Sequence, residues 1–236
     1  MAVSRYFSNS QLAERVNISN GRTLGVSHIH KFGATDGDVT AGTIWDGNSS
    51  NTEYPYPAQG LVTVAGATTA DDGKTVEVSG LDANYAPVTE TLTVGGAPSV
   101  AIFSRVFRAR MVSAENTIDL DIDLDGVLAA KILAGLGQTL MAVYTVPAGK
   151  TAYLLDLHVG SDKASTNTSM TYRLFARPFG EAFNIKCNFN VAGGQNLDIN
   201  YNIPLEFTEK TDLRVDAIAG QATTCSATFD LILVDN

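Results

Sequence analysis

The sequence predicts an all-β protein: an N-terminal arm, a smaller β-rich domain, and an antiparallel β-sandwich, jelly-roll-like, at the C-terminal end. Three observations predict it. From Thr23 onward apolar and polar residues alternate with period two, which puts every second side chain on one face of a sheet. The alternating runs are rich in Thr and Val, whose stiff χ1 suits a pleated, half-buried surface. Turn signals punctuate them at Asp36-Gly37, Asp46-Gly47-Asn48, Asp72-Gly73 and Gly95-Gly96, residues that accept the positive φ of tight hairpins. Strands do not alternate with long helical patterns, which argues against a doubly wound α/β fold.

The elements follow in order. Residues 8–16 (SNSQLAERV) read as a short helix, with Ser8 or Ser10 as its cap and Leu12, Ala13 and Val16 on one face. Val62–Val64, Lys74–Val78 and Val88–Val94 read as strands. The segment YPYPAQG (54–60) reads as a loop, because Pro55 and Pro57 remove two ladder donors. Residues 101–112 read as a long strand with Phe103, Arg105, Phe107, Ala109 and Met111 on one face and Val106, Arg108, Arg110 and Val112 on the other. Neither face is purely apolar, which suits a domain or subunit boundary. The pattern restarts after residues 113–117, so the expected division is an arm at 1–22, a β-rich domain at 23–115 and a sandwich domain at 116–236. The second half reads as eight strands near 117–124, 139–146, 151–159, 168–177, 181–190, 196–203, 211–218 and 225–234. Residues 127–135 fit a short helix or a further strand.

Composition narrows the function. The chain has 236 residues, with 44% hydrophobic and 17% charged, enough apolar surface for a core and too little charge for a disordered chain. Lys and Arg total 16 against 25 Asp and Glu, a formal charge of −9. That argues against general nucleic-acid binding, which needs clustered cations on phosphate. The first residues lack the apolar run of a signal peptide, and no stretch approaches a bilayer span. The expectation is a soluble protein made in a cytoplasm. Cys187 and Cys225 read as two thiols in strands; whether they pair depends on a Cα spacing that sequence does not give.

Several motifs suggest chemistry, and each also has a plainer reading. In Asp119, Asp121, Asp123 and Asp125, alternation with Ile and Leu puts four carboxylates on one strand face. Asp121-x-Asp123-x-Asp125-Gly126 matches the first half of a calcium loop, but position twelve is Ile132, which supplies no carboxylate. His28 and His30 share a face at the i, i+2 spacing of many sheet metal sites, with His158 the remaining imidazole and Asp36 and Asp38 the nearest carboxylates. Surface or interface histidines are the plain alternative. The two Gly-Lys-Thr runs at 73–75 and 149–151 lack the preceding glycine of a phosphate loop and read as turns. There is no G-x-S-x-G elbow, and Gly135-Leu136-Gly137 lacks its third glycine. Asn17, Asn48 and Asn167 match a glycosylation pattern that means little without a secretory signal. Trp45, Tyr54 and Tyr56 read either as core and loop packing or as stacking surfaces for a sugar or a neighbouring protein. No residue is assigned a catalytic, cofactor-binding or metal-ligating role.

Two stretches carry a resemblance as wholes. One runs from Phe32-Gly33 through Ile44-Trp45-Asp46-Gly47 and then from Asp72-Gly73-Lys74-Thr75 to Asn84-Tyr85. The other runs from Gly137-Gln138-Thr139 through Val146-Pro147-Ala148-Gly149-Lys150 to Leu154, then Arg173 to Gly180 and Ile203-Pro204-Leu205-Glu206-Phe207. Together they resemble virion structural proteins of tailed bacteriophages, over most of residues 30–215. The resemblance implies a non-enzymatic protein without cofactors, made in a host bacterial cytoplasm and located in the virion. It implies capsid decoration or cement, with the major capsid protein or other virion proteins as partners and a homo-oligomeric state. A neck, tail or baseplate component is the nearest alternative. By fold analogy, a carbohydrate-binding module using Tyr54, Tyr56 and Trp45 is another. Acidity fits a particle component that stays soluble and avoids packaged DNA, and the reading involves no membrane.

Overall fold

A computed structural model describes residues 11–162 and 169–236. It is built almost wholly of antiparallel strands, as the alternation demands. The one α-helix among the described residues is α1 (Gln11–Ser19). It ends three residues later than expected; the proposed caps Ser8 and Ser10 lie outside the described residues.

Eight strands form a two-sheet sandwich: β1 (Val26–Ala34), β2 (Val39–Thr43), β10 (Lys150–Ser161), β11 (Ser169–Arg177), β12 (Asn184–Ala192), β13 (Asn196–Phe207), β14 (Asp212–Thr223) and β15 (Cys225–Asp235). The first sheet has the order β1-β15-β10-β13 and the second β12-β11-β14-β2. Each therefore combines strands from both ends of the chain, the arrangement of a jelly roll made from two Greek keys. Between the sheets lie Leu154, Leu157, Tyr172, Leu174, Val215, Phe229 and Leu231, all essentially buried. Alternation produces this core: β15 reads buried, exposed, buried, intermediate and so on along its length.

The remaining strands form a module inserted between β2 and β10. They are β3 (Val62–Gly66), β4 (Thr75–Asp82), β5 (Pro87–Thr93), β6 (Phe103–Met111), β7 (Leu120–Leu124) and β8 (Val127–Ile132), followed by the short β9 (Val143–Thr145) that returns to β14. They make two three-stranded sheets, β3-β7-β8 and β5-β4-β6, around Val62, Val76, Val78, Phe103, Leu120, Ile122 and Ile132. The stem of the insertion is a bridge between Trp45 and Met141, with Ala142 N donating to Ile44 O at 2.9 Å.

This pairing departs from a division at 115/116. β1 and β2 lie before it yet pair with β15 and β14, while β7 lies after it yet pairs with β3. A cut read along the chain assumes that consecutive strands stay together, and the jelly roll draws its partners from opposite ends. Of two further details, one takes the strand alternative and one differs. Residues 127–132 are strand β8, closed onto β7 by Asp125 and Gly126 at φ 53° and 75°. These are the signs of a two-residue hairpin turn, so the end of the apparent calcium loop is a turn. On β6 the expected faces are scrambled because Ser104 and Phe107 have no partner in the β4 register. Each such bulge shifts the alternation by one. Val106 and Ala109 then face the inserted core, while Phe107 packs on Tyr144 and the sandwich core. The strand lies between the two cores, and Lys31 of β1 donates to Phe107 O across the join.

Candidate functional site

The first sheet brings all three histidines of the chain to its outer face. Register sets them in adjacent cross-strand rows. One row is His28, Ile232, Tyr153 and Glu206; the next is His30, Asp230, Asp156 and Asn200; the third is Phe32, Thr228, His158 and Asp198. Directly opposed residues share a face, so these side chains meet. Asp230 Oδ1 lies 2.9 Å from His28 Nε2 and 2.7 Å from His30 Nδ1. His158 Nδ1 lies 2.7 Å from Asp198 Oδ1, and its Nε2 is 3.5 Å from Asp156 Oδ1. The expected His28/His30 pair is thus real, and His158 joins the same face two strands away.

A groove of about 720 Å³ opens on this face. Its floor includes His28, Asp156, Asp230 and Ile232; α1 walls it with Arg15, Val16 and Ile18. The far wall, Asn200 to Asn202, exists because β13 leaves register there: two steps on β10, Leu154 to Asp156, face five on β13, Leu205 to Asn200. Electrostatics divide the carboxyls. Burial pushes Asp230 up, but hydrogen bonds and charge from His30 and His28 outweigh it and hold the carboxyl below its usual range. Burial, then the charge of Asp230, raises Asp156. The hydrogen bond to Asp198 raises His158. The array sets three imidazoles against the carboxyls of Asp230, Asp156 and Asp198.

A second cluster joins the inserted module to the sandwich. Asp212 takes Arg105 Nε and Nη2 at 2.9 and 3.0 Å, Arg177 Nη2 at 2.5 Å and the Thr145 hydroxyl at 2.6 Å. Tyr56 is stacked between guanidinium groups, 4.6 Å from Arg177 and 5.6 Å from Arg105. Tyr54 is 2% exposed and donates to Val106 O at 3.0 Å. Trp45, also buried, meets Tyr54 edge-on at 5.1 Å. Trp45 and Tyr54 therefore cannot serve as sugar platforms; with Tyr56 they brace the junction.

The aspartate strand is β7, with Leu120, Ile122 and Leu124 buried. Asp119 accepts from Ala134 N at 2.9 Å, and Lys131 Nζ lies 3.3 Å from Asp119 and 3.4 Å from Asp36. A lysine thus balances the acidic face. Among the described residues no three His, Cys, Asp or Glu side chains are placed to hold a metal ion. Cys187 and Cys225 are free thiols on strands of different sheets. Gly73 and Gly149 occupy turns at φ 84° and 71°. Asn17 lies on α1, and Asn48 is buried, donating to Thr43 O at 2.8 Å. Asn167 lies outside the described residues.

On the inserted module, Gly60 and Phe103 exchange backbone hydrogen bonds of 2.9 and 2.8 Å, setting Leu61 beside Ile102. Leu61, Ile102 and Val100 are exposed, Val100 by 91%. The loop is fixed by Glu90, which accepts from Val100 N and Ala101 N at 2.8 and 3.0 Å. Sequence reading missed Asp156, Asp198 and Asp230, and also Arg105, Arg177 and Asp212. Asp156-x-His158 was the usable local signal; the others become partners only through sheet register.

No family model matches the chain, and no curated protein matches it. Solved structures give distant likenesses. A mitogen from Yersinia pseudotuberculosis matches at 12% identity over 37% of this chain and 82% of its own, with TM-score 0.24. The cowpea mosaic virus top component matches at 6% over 76% and 86%, with TM-score 0.23. The infectious bursal disease virus VP2 subviral particle matches at 10% over 98% and 78%, with TM-score 0.22. Scores this low carry no argument about fold or function. No described helix is long and apolar enough to cross a membrane.

Proposed function

We propose that this chain is a non-enzymatic structural protein of a tailed-phage virion, serving as capsid decoration that clamps neighbouring capsid subunits. The observation that carries the reading is the exposed apolar group Leu61, Val100 and Ile102 on a braced module. Clustered exposed apolar residues mark surfaces that partners cover, and the Glu90 brace holds this one in shape without a partner. The open edges of the sandwich add to it. Among the described residues β12 and β13 each pair on one side only, and they carry exposed Ile185 and Ile203. Such edges accept strands or loops from neighbours. The sequence resemblance supplies the phage setting. The partners are the major capsid protein and further copies of this chain.

Co-sedimentation tests the proposal. Purified protein is mixed with phage particles depleted of it, and binding is compared with a Val100→Asp, Ile102→Asp variant. Saturable binding that the variant loses is the expected result. Equal binding by both, or none by the unaltered protein, contradicts it.

A further inference from the structure

We propose that the histidine–aspartate ladder is a proton-operated control on the N-terminal helix: its carboxylates attract Arg15 of α1 at neutral pH, and protonated imidazoles cancel that attraction in acid. The proposal goes beyond the virion reading and does not depend on it. Its first support is placement. His28 and His30 of β1 and His158 of the distant β10 share one sheet face, and His28, with Asp156 and Asp230, lines the groove that α1 walls.

The second support is charge. Facing the imidazoles are Asp230 of β15, Asp156 and Tyr153 of β10, Asp198 and Glu206 of β13, and Arg15 of α1. With neutral imidazoles the face is acidic. The arm is basic by contrast: residues 1–22 carry three arginines and one glutamate in a chain whose net charge is −9. Arg15 is the charged residue of α1 that lines the groove, and Asp156 and Asp230 line it too. Protonating three histidines adds up to three positive charges to a face holding four carboxyls. Each imidazole that takes a proton offsets one of those negative charges, and imidazole is the side chain that most readily does so in mild acid.

The third support is that this coupling must be reciprocal. If protonation loosens α1, then the Arg15 charge must hinder protonation. Two measurements on the full chain test the two directions. The first is hydrogen exchange of the α1 amides at about pH 7.5 and 5.5, corrected for intrinsic rates. Protection should fall roughly threefold in acid, the scale of one solvent-facing charge interaction. It should become independent of pH in His28→Gln, His30→Gln, His158→Gln. The second is an NMR titration of the three imidazoles, in which Arg15→Gln should raise the midpoints of His28 and His30. Arg15 is exposed, so this variant keeps the test open if the triple variant fails to fold. Unchanged α1 protection between the two pH values, or His28 and His30 midpoints indifferent to Arg15→Gln, overturns the proposal.

Discussion

Arg105 of the inserted module and Asp212 of the sandwich form a two-pronged ion pair, Nε to Oδ1 at 2.9 Å and Nη2 to Oδ2 at 3.0 Å. Both side chains are largely buried. The fork fixes direction as well as distance, and Arg177 closes on the same carboxylate from β11. One aspartate thus ties three strands across the junction. The Asp212→Asn variant keeps the shape and leaves two guanidinium groups short of a counter-charge. We expect a loss of about 3–5 kcal/mol, the usual result of removing one partner from a buried pair. Urea unfolding followed by Trp45, the single tryptophan, reads it directly.

The same carboxyl sets an acid limit. Burial pushes Asp212 up, but Arg105, Thr145 and Arg177 together hold it below 3.8. A depressed carboxyl stabilises the fold above its unfolded value and loses that contribution as pH falls through the folded value. Stability from the junction should therefore be complete at about pH 5, begin to fall near pH 4, the unfolded carboxyl's range, and be lost as pH drops through the lower folded value. Comparing the acid unfolding of Asp212→Asn with the unaltered chain checks this: the variant should show the shallower acid limb.

Gly33 marks where β1 passes the stem of the insertion. A Cβ there would lie 2.3 Å from Ala142 N and 2.6 Å from Ile44 O, both backbone atoms. Gly33→Ala should cost about 3 kcal/mol, because neither backbone can yield without moving the stem. Gly220→Ala is the control, with its nearest neighbour an ordinary 3.6 Å away. Thermal unfolding should separate the two clearly.

The strands were legible because each carries its own signal. Alternation along residues 150–161 and 225–235 is written in neighbouring residues and gives β10 and β15 wherever they pair. Which strands pair was not legible. Nothing local in Val26–Ala34 says that it lies on Val234–Ser226, so residues 23–115 read as a domain of their own. The same limit governed the site. His28 and His30 share a face by spacing alone, while Asp230, two hundred residues on, becomes their partner only through register. Trp45 and Tyr54 read from sequence first as core and loop packing, with a stacking surface as the alternative, and both are buried.

His158 predicts a pH dependence of opposite sign to that of Asp212. Its hydrogen bond to Asp198, with help from the charge of Asp156, raises it above 6.5. A raised imidazole contributes stability that is complete below the unfolded value and lost as pH rises through the folded one. Asp198 is well exposed, so solvent screening limits the gain to about 0.5 kcal/mol. The melting temperature of His158→Gln should fall below that of the unaltered chain in mild acid and match it in mild alkali.

The aspartate strand makes a further prediction. Lys131 already stands between Asp119 and Asp36. Millimolar calcium, or a chelator in its place, should leave the melting temperature unmoved, whereas a ligand that bound only the folded state would raise it. Lys131→Met, which leaves the aspartates without their cation, should lower stability by about 1 kcal/mol.

The most direct test of a structural role in the particle is the copy number of this chain in purified virions, by quantitative mass spectrometry against the major capsid protein. Decoration of the shell predicts hundreds of copies in fixed ratio to the capsid subunit. Roughly five to a few tens, the range closed rings give, would contradict decoration and move the chain to the neck, tail or baseplate. Absence from the particle would contradict the virion reading altogether.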